Sequence, residues 1–213
     1  MNLLHRLELI EDAAVTQHPH RLIPSSLTKE QKMEKIAYHF RQIMQILELD
    51  LSDPSLQNTP ERFAHMYIEE LFWGLDTSLF PDVSYLDNDM MQEQDNGIVL
   101  IKDIPIKSTC EHHFVPIIGT AMVAYIPADK ILGLSKINRI VDYFCRRPQL
   151  QERLTAQIAD ALCILLNTED VAIRIEAEHF CVTLRGVEHP SSRTHTFVSR
   201  GRFKEEAFFR SIL

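Results

Sequence analysis

Cysteine is scarce in this chain, with four in 213 residues, and that scarcity excludes a disulfide-stapled scaffold. Long apolar runs are missing too. No stretch approaches the roughly 18 residues of a membrane span, and the opening MNLLHRLELIEDAAV interrupts any signal-peptide core with Arg6, Glu8, Glu11 and Asp12. A cytosolic protein is the expectation. Positive charge is in deficit, with 22 Lys and Arg against 30 Asp and Glu and a formal charge of -8, which argues against a nucleic-acid coat or a polybasic membrane binder. Neither nucleic acid nor membrane is expected as a partner, and an anionic substrate needs a local basic site. What is present is ordinary globular usage, 45% hydrophobic and 24% charged. A chain of this length buries roughly 70% of its unfolded surface without a stapling metal, so a metal would be there for chemistry.

Residues 1–27 read as an N-terminal arm, with Leu3, Leu4, Leu7 and Ile10 on one face of a short helix before a polar connector. Thr28-Lys29-Glu30-Gln31 has the form of a capping box, and Ile36, Phe40, Ile43, Met44 and Leu47 recur at helical spacing, so a helix is expected over about 29–49. Thr59-Pro60 reads as N-cap and first-turn proline of a second helix, carrying Phe63, Met66, Tyr67 and Leu71 and stopped at Gly74. From residue 98 the period changes to two. Ile98–Ile101 and Phe114–Ile126 predict two antiparallel strands with 108–113 at their joint. Ser135 can cap a helix bearing Ile137, Ile140, Val141 and Phe144, and Pro148 can start another bearing Leu150, Leu154, Ile158, Leu162 and Leu165. Val171–Arg185 and Thr194–Ser199 predict two further strands, and Phe208, Phe209 and Ile212 a terminal helix. This order indicates an α+β domain. A single catalytic domain over 28–213 is expected, with a helical part over about 28–75 and a sheet part over about 97–213.

Chemistry concentrates in two short segments. Cys110-Glu111-His112-His113 puts a thiolate and an imidazole three positions apart, able to reach one ion from a single turn. His179-Phe180-Cys181 lies within the expected third strand, whose alternation turns His179 and Cys181 to the same face. Cys110, His113 and Cys181 then make three ligands, with His112 and His179 beside them. An open site of this kind suits a catalytic zinc, while recruiting His112 or His179 as a fourth ligand would close it into a structural one. Cys145 and Cys163 fall on apolar helix faces and read as core. Ser135, Lys136 and Arg139 surround a helix start, where free N–H groups favour anions, although a solvated face has the same composition. Arg185, and Arg62 early in the second helix, extend the basic set toward a polyphosphate beside the metal.

The segments STCEHHF (108–114), GLSKINRIV (133–141), RPQLQERLT (147–155), HFCV (179–182) and Arg185-Gly186, together with TPERFAHMY, resemble type I GTP cyclohydrolase over roughly residues 28–203. The resemblance implies a tunnelling fold, an antiparallel four-stranded sheet with helices on one face behind a helical region. It implies a homo-oligomer, a ten-subunit toroid with sites at subunit interfaces. The implied reaction takes GTP and water to formate and 7,8-dihydroneopterin triphosphate, the first step toward folates and biopterin. Attack of a zinc-activated water on carbon 8 is followed by ring opening, deformylation, Amadori rearrangement and closure. In this scheme Cys110, His113 and Cys181 hold Zn2+, His112 and His179 are the acid–base pair, Glu152 accepts guanine N–H donors and Gln151 is a neighbouring purine contact. Ser135, Lys136, Arg139 and Arg185 hold the triphosphate, with Arg62 reaching it from an adjacent subunit. His65 stands where some members carry lysine, and His189-Pro190 where an aspartate is common. An inactive zinc-stabilised nucleotide-binding or regulatory module, or a relative acting on another purine or pterin, are the competing readings.

Overall fold

The computed structural model describes residues 8, 25–87, 97–128 and 130–205. Leu3, Leu4, Leu7 and Ile10 of the expected arm helix, and the expected terminal helix around 208–212, lie outside the described residues. The rest falls into two compact units, 25–79 and 80–205. Among the described residues no helix is long and apolar enough to cross a membrane.

The first unit is helical. α1 spans Lys29–Ile46 and opens on the expected capping box: Thr28 accepts from the Gln31 N–H, and the Gln31 side chain accepts from the Thr28 N–H. α2 spans Thr59–His65, with Asn58 rather than Thr59 in the N-cap position and Pro60 in the first turn. Its continuation is not the regular helix expected to run to Gly74. Met66–Leu71 widens into a π-helical turn, closed by Phe72 N–H on Tyr67 C=O at 3.0 Å. Phe40 stacks on Phe63 at 3.7 Å between ring centroids, joining α1 to α2.

The second unit is built on a sheet. Its strands are β1 (Tyr85–Asp87), β2 (Val99–Cys110), β3 (Pro116–Tyr125), β4 (Lys130–Leu132), β5 (Pro148–Gln149), β6 (Val171–His179) and β7 (Thr194–Ser199). Order β5-β2-β3-β6-β7 forms the main sheet, while β1 and β4 make a separate pair. The run β2-β3-β6-β7 is antiparallel throughout and is the expected four-stranded sheet; β5 adds a fifth, two-residue parallel edge beside Thr109 and Cys110. Two helices, α3 (Leu134–Cys145) and α4 (Gln151–Leu166), pack on this sheet. Ile137, Ile140, Phe144, Leu154, Ile158 and Leu162 on the helices and Ile106, Ile117, Val123, Ile173 and Ile175 on the strands are all buried. Burying a side chain of this size contributes about 1.5–3 kcal/mol. Gly119 lets β3 approach β6, since a Cβ there would collide with the backbone of Glu176 and Ala177.

Several boundaries in this unit differ from the sequence expectation, among them β2, which runs on to Cys110 rather than stopping at Ile101. Pro148 belongs to β5, and the helix begins at Gln151 because residues 148–149 pair with β2 first. Ser135 is inside the first turn of α3, behind an N-cap at Gly133, and makes no cap hydrogen bond. The expected strand 171–185 ends at His179, where the chain turns into the four-residue α5 (Phe180–Thr183).

Candidate active site

The buried face of the sheet runs out into polar chemistry at one end. In β6 Ile173, Ile175, Ala177 and His179 alternate onto that face, and His179 is opposite Ile117 of β3. In β2 Ile106, Ser108 and Cys110 do the same, with Ser108 paired to Ile117. Cys110 and His179 therefore end two strands on either side of β3.

The turn after Cys110 brings His113 back beside it. Phe114 N–H donates to Cys110 C=O and Cys110 N–H to Val115 C=O, each at 2.8 Å, with Phe114 at φ 52°. Glu111 N–H donates to Gln149 C=O at 3.0 Å, so the short β5 edge holds the turn. Cys181 arrives from the other side, from α5 rather than from an alternating strand. Because the strand ends at His179, Thr183 and Arg185, inside the expected strand 171–185, do not continue a strand face. Ligand atoms of Cys110, His113 and Cys181 all lie within 4.8 Å of one another.

This donor set fits a metal ion. Burial, then the hydrogen bond and charge of neighbouring Cys110, push the Cys181 thiol above its ordinary pKa. Two thiolates side by side repel, and a divalent cation between them removes that conflict. Two sulfurs and one imidazole are a soft, tetrahedral-type set, with one coordination position left for a small molecule.

Around the triad the residues divide by exposure. His179 is half-buried, its pKa lowered by desolvation and raised in part by the Glu152 carboxylate. Its Nε2 lies 2.7 Å from Gln151 Oε1. Gln151 itself has 0% exposure, its side chain hydrogen-bonded to protein at both ends. Glu152, next in sequence, faces solvent, as the first turn of α4 requires of adjacent positions. His112 is 61% exposed with Nε2 3.6 Å from Glu111 Oε1. Arg185 donates to His113 Nε2 at 2.8 Å.

The phosphate candidates are more scattered. Ser135, Lys136 and Arg139 occupy the first turns of α3, exposed or half-buried; among the described residues no hydrogen bond or ion pair joins them to the triad. Arg62 is exposed on α2, in the other unit. Cys145 is buried and its thiol is pushed up to about 12, with burial the leading cause; Cys163 reaches about 11 for the same reason. Both are inert positions.

One pair was not anticipated from sequence. Arg153 forks onto Glu111, with N···O distances of 2.6 and 3.2 Å, at side-chain exposures of 9% and 11%. It ties the start of α4 to the turn carrying two ligands and His112. Its signal was present, a charged residue inside CEHH and another beside Glu152, but their contact depends on β5 placing the two segments together.

Two cysteines and a histidine poised for a divalent ion, with two further histidines and a solvent-facing carboxylate, define the class: a metal-assisted hydrolase-type site on an α+β sheet. Residues 36–212 match the family model described as GTP cyclohydrolase I. The chain is 54% identical over 185 residues to GTP cyclohydrolase 1 of Aeromonas salmonicida, covering 87% of this chain and 84% of that one. It is 50% identical over 188 residues to GTP cyclohydrolase 1 of Vibrio parahaemolyticus (88% and 85%) and 48% identical over 190 residues to that of Shewanella oneidensis (89% and 87%). This chain belongs to the GTP cyclohydrolase I family, and its antiparallel sheet backed by two helices is that family's tunnelling fold.

Proposed function

We propose that the chain converts GTP and water to formate and 7,8-dihydroneopterin triphosphate, with Zn2+ held by Cys110, His113 and Cys181. The carrying observation is the convergence of those three ligand atoms within 4.8 Å in a chain of this family. Zinc bound there supplies Lewis acidity and makes water nucleophilic near neutral pH, which attack on carbon 8 requires. Everything else falls to the side chains. Glu152 faces solvent beside His179 and accepts the N–H donors of guanine, orienting carbon 8 toward the metal. His179 moves a proton at the neighbouring ring nitrogen, neutralising the negative charge that develops as the aromatic ring is attacked. His112, exposed at the rim, serves the later proton transfers on the ribose that precede closure of the pterin.

Ser135, Lys136, Arg139 and Arg185 take the triphosphate. If His113 ligates through Nδ1, its Nε2 must carry the proton, so it no longer accepts from Arg185 and the guanidinium is free to meet an anion. Arg62 is assigned to the site of an adjacent subunit in a ten-subunit assembly. That reading is supported by Phe114, Leu184 and Val187, large apolar side chains left exposed near the triad in the single chain. A cytosolic location accords with a GTP substrate. Anaerobic incubation of zinc-loaded protein with GTP tests the proposal: formate and a fluorescent pterin after oxidation are expected, and the absence of both would refute it.

A further inference from the structure

Gln151 is the first residue of α4, yet its side chain points inward and is fully buried. Its Nε2 faces three acceptors: Thr194 C=O at 2.9 Å, Thr196 Oγ1 at 3.1 Å and Ile175 C=O at 3.2 Å. Two of these are backbone carbonyls, which cannot donate. Rotating the amide would press Oε1 against both of them, so its orientation is not free. The hydroxyls have a fixed sense as well. Thr155 Oγ1 donates to Gln151 C=O at 2.7 Å, so across the 2.7 Å Thr155–Thr196 contact the proton comes from Thr196, leaving a Thr196 lone pair for the amide. With Nε2 committed to β6 and β7, Oε1 is left facing His179 Nε2 at 2.7 Å. An amide oxygen can only accept. His179 Nε2 must therefore carry a hydrogen.

We infer that Gln151 is a positioning residue that fixes the orientation of the His179 ring and holds it in the Nε2–H tautomer. The same hydrogen bond survives in both states of the ring, since Nε2 is a donor in neutral imidazole of this tautomer and in imidazolium alike. The ring is thus held from behind in one orientation, which keeps a catalytic group aligned through turnover. The inference rests on the proposed role of His179 but concerns a property measurable without substrate.

The test is 15N solid-state NMR of sedimented, zinc-loaded, histidine-labelled protein at alkaline pH, with His179→Ala identifying the signal. The wild type is expected to show a pyrrole-type Nε2 and a pyridine-type Nδ1. Gln151→Met, similar in volume but without an acceptor, should lose the single tautomer and lower kcat roughly ten- to hundredfold, with little change in KM. Thr196→Val keeps both carbonyls and should retain the wild-type tautomer, which serves if Gln151→Met does not fold. A wild-type ring protonated at Nδ1, or a folded Gln151→Met with wild-type tautomer and kcat, would overturn the inference. Wild-type protein that shows the expected tautomer but releases no formate from GTP would instead sink the activity and leave the lock standing.

Discussion

Along the inner wall of the site, Cys110, Gln151 and Thr155 are buried, and the Gln151 side chain alone makes four hydrogen bonds to protein. Along the rim, His112, Glu152, Ser135 and Arg139 stand in solvent. The wall is finished within one chain, because sheet register and the start of α4 leave its groups one arrangement. The rim is not, since the exposed side chains gain geometry only from substrate and, in the proposed assembly, from a neighbour. In the proposed reaction the wall holds the metal and His179, while the rim takes the substrate and, through His112, the later proton transfers.

Breaking the wall should cost most. Cys181→Ser removes a soft ligand, and zinc content and formate release are expected to fall together, by about a thousandfold in rate, while the thermal midpoint moves little because the core lies elsewhere. His179→Ala should retain zinc and GTP binding but slow formate release by about 10²–10⁴-fold, read in single-turnover kinetics. Arg153→Met tests the joint between wall and rim. It removes both fork hydrogen bonds from a Glu111 side chain only 11% exposed, so a stability loss of about 3 kcal/mol is expected in denaturant unfolding, along with weakened activity as the turn loosens.

At the rim the effects should be smaller and of another kind. Lys136→Ala and Arg139→Ala each remove a charge-assisted contact worth about 1.5–3 kcal/mol, so KM for GTP should rise roughly ten- to hundredfold; nucleotides lacking phosphates should lose kcat as well, since remote binding assists the reacting centre. Smallest of all, Cys145→Ala should cost about 1 kcal/mol in stability and leave kcat/KM unchanged, separating the core cysteines from the ligands.

Much of the fold and of the wall was legible because local rules set it. The capping box at Thr28, the period of two in β2, β3 and β7, and the one-turn spacing of Cys110 and His113 all survive in the structure. Cys181 was expected to reach the triad by strand alternation, whereas the strand ends at His179 and Cys181 comes in from α5. The burial of Gln151 was not legible because sequence gives α4 a period but not the rotation that turns its first residue against β6 and β7. The Glu111–Arg153 fork was invisible for a related reason: it depends on β5, two residues too short to announce a strand and headed by a proline that suggested a helix.

The central claim is that the Cys110–His113–Cys181 triad holds the ion on which GTP opening depends. Titrating zinc into chelated protein while following formate release tests it most directly. The rate should climb in proportion to bound zinc and level off at one ion per chain, with the thermal midpoint nearly constant and Cys110→Ser silent throughout. Undiminished formate release from fully chelated protein would contradict the account.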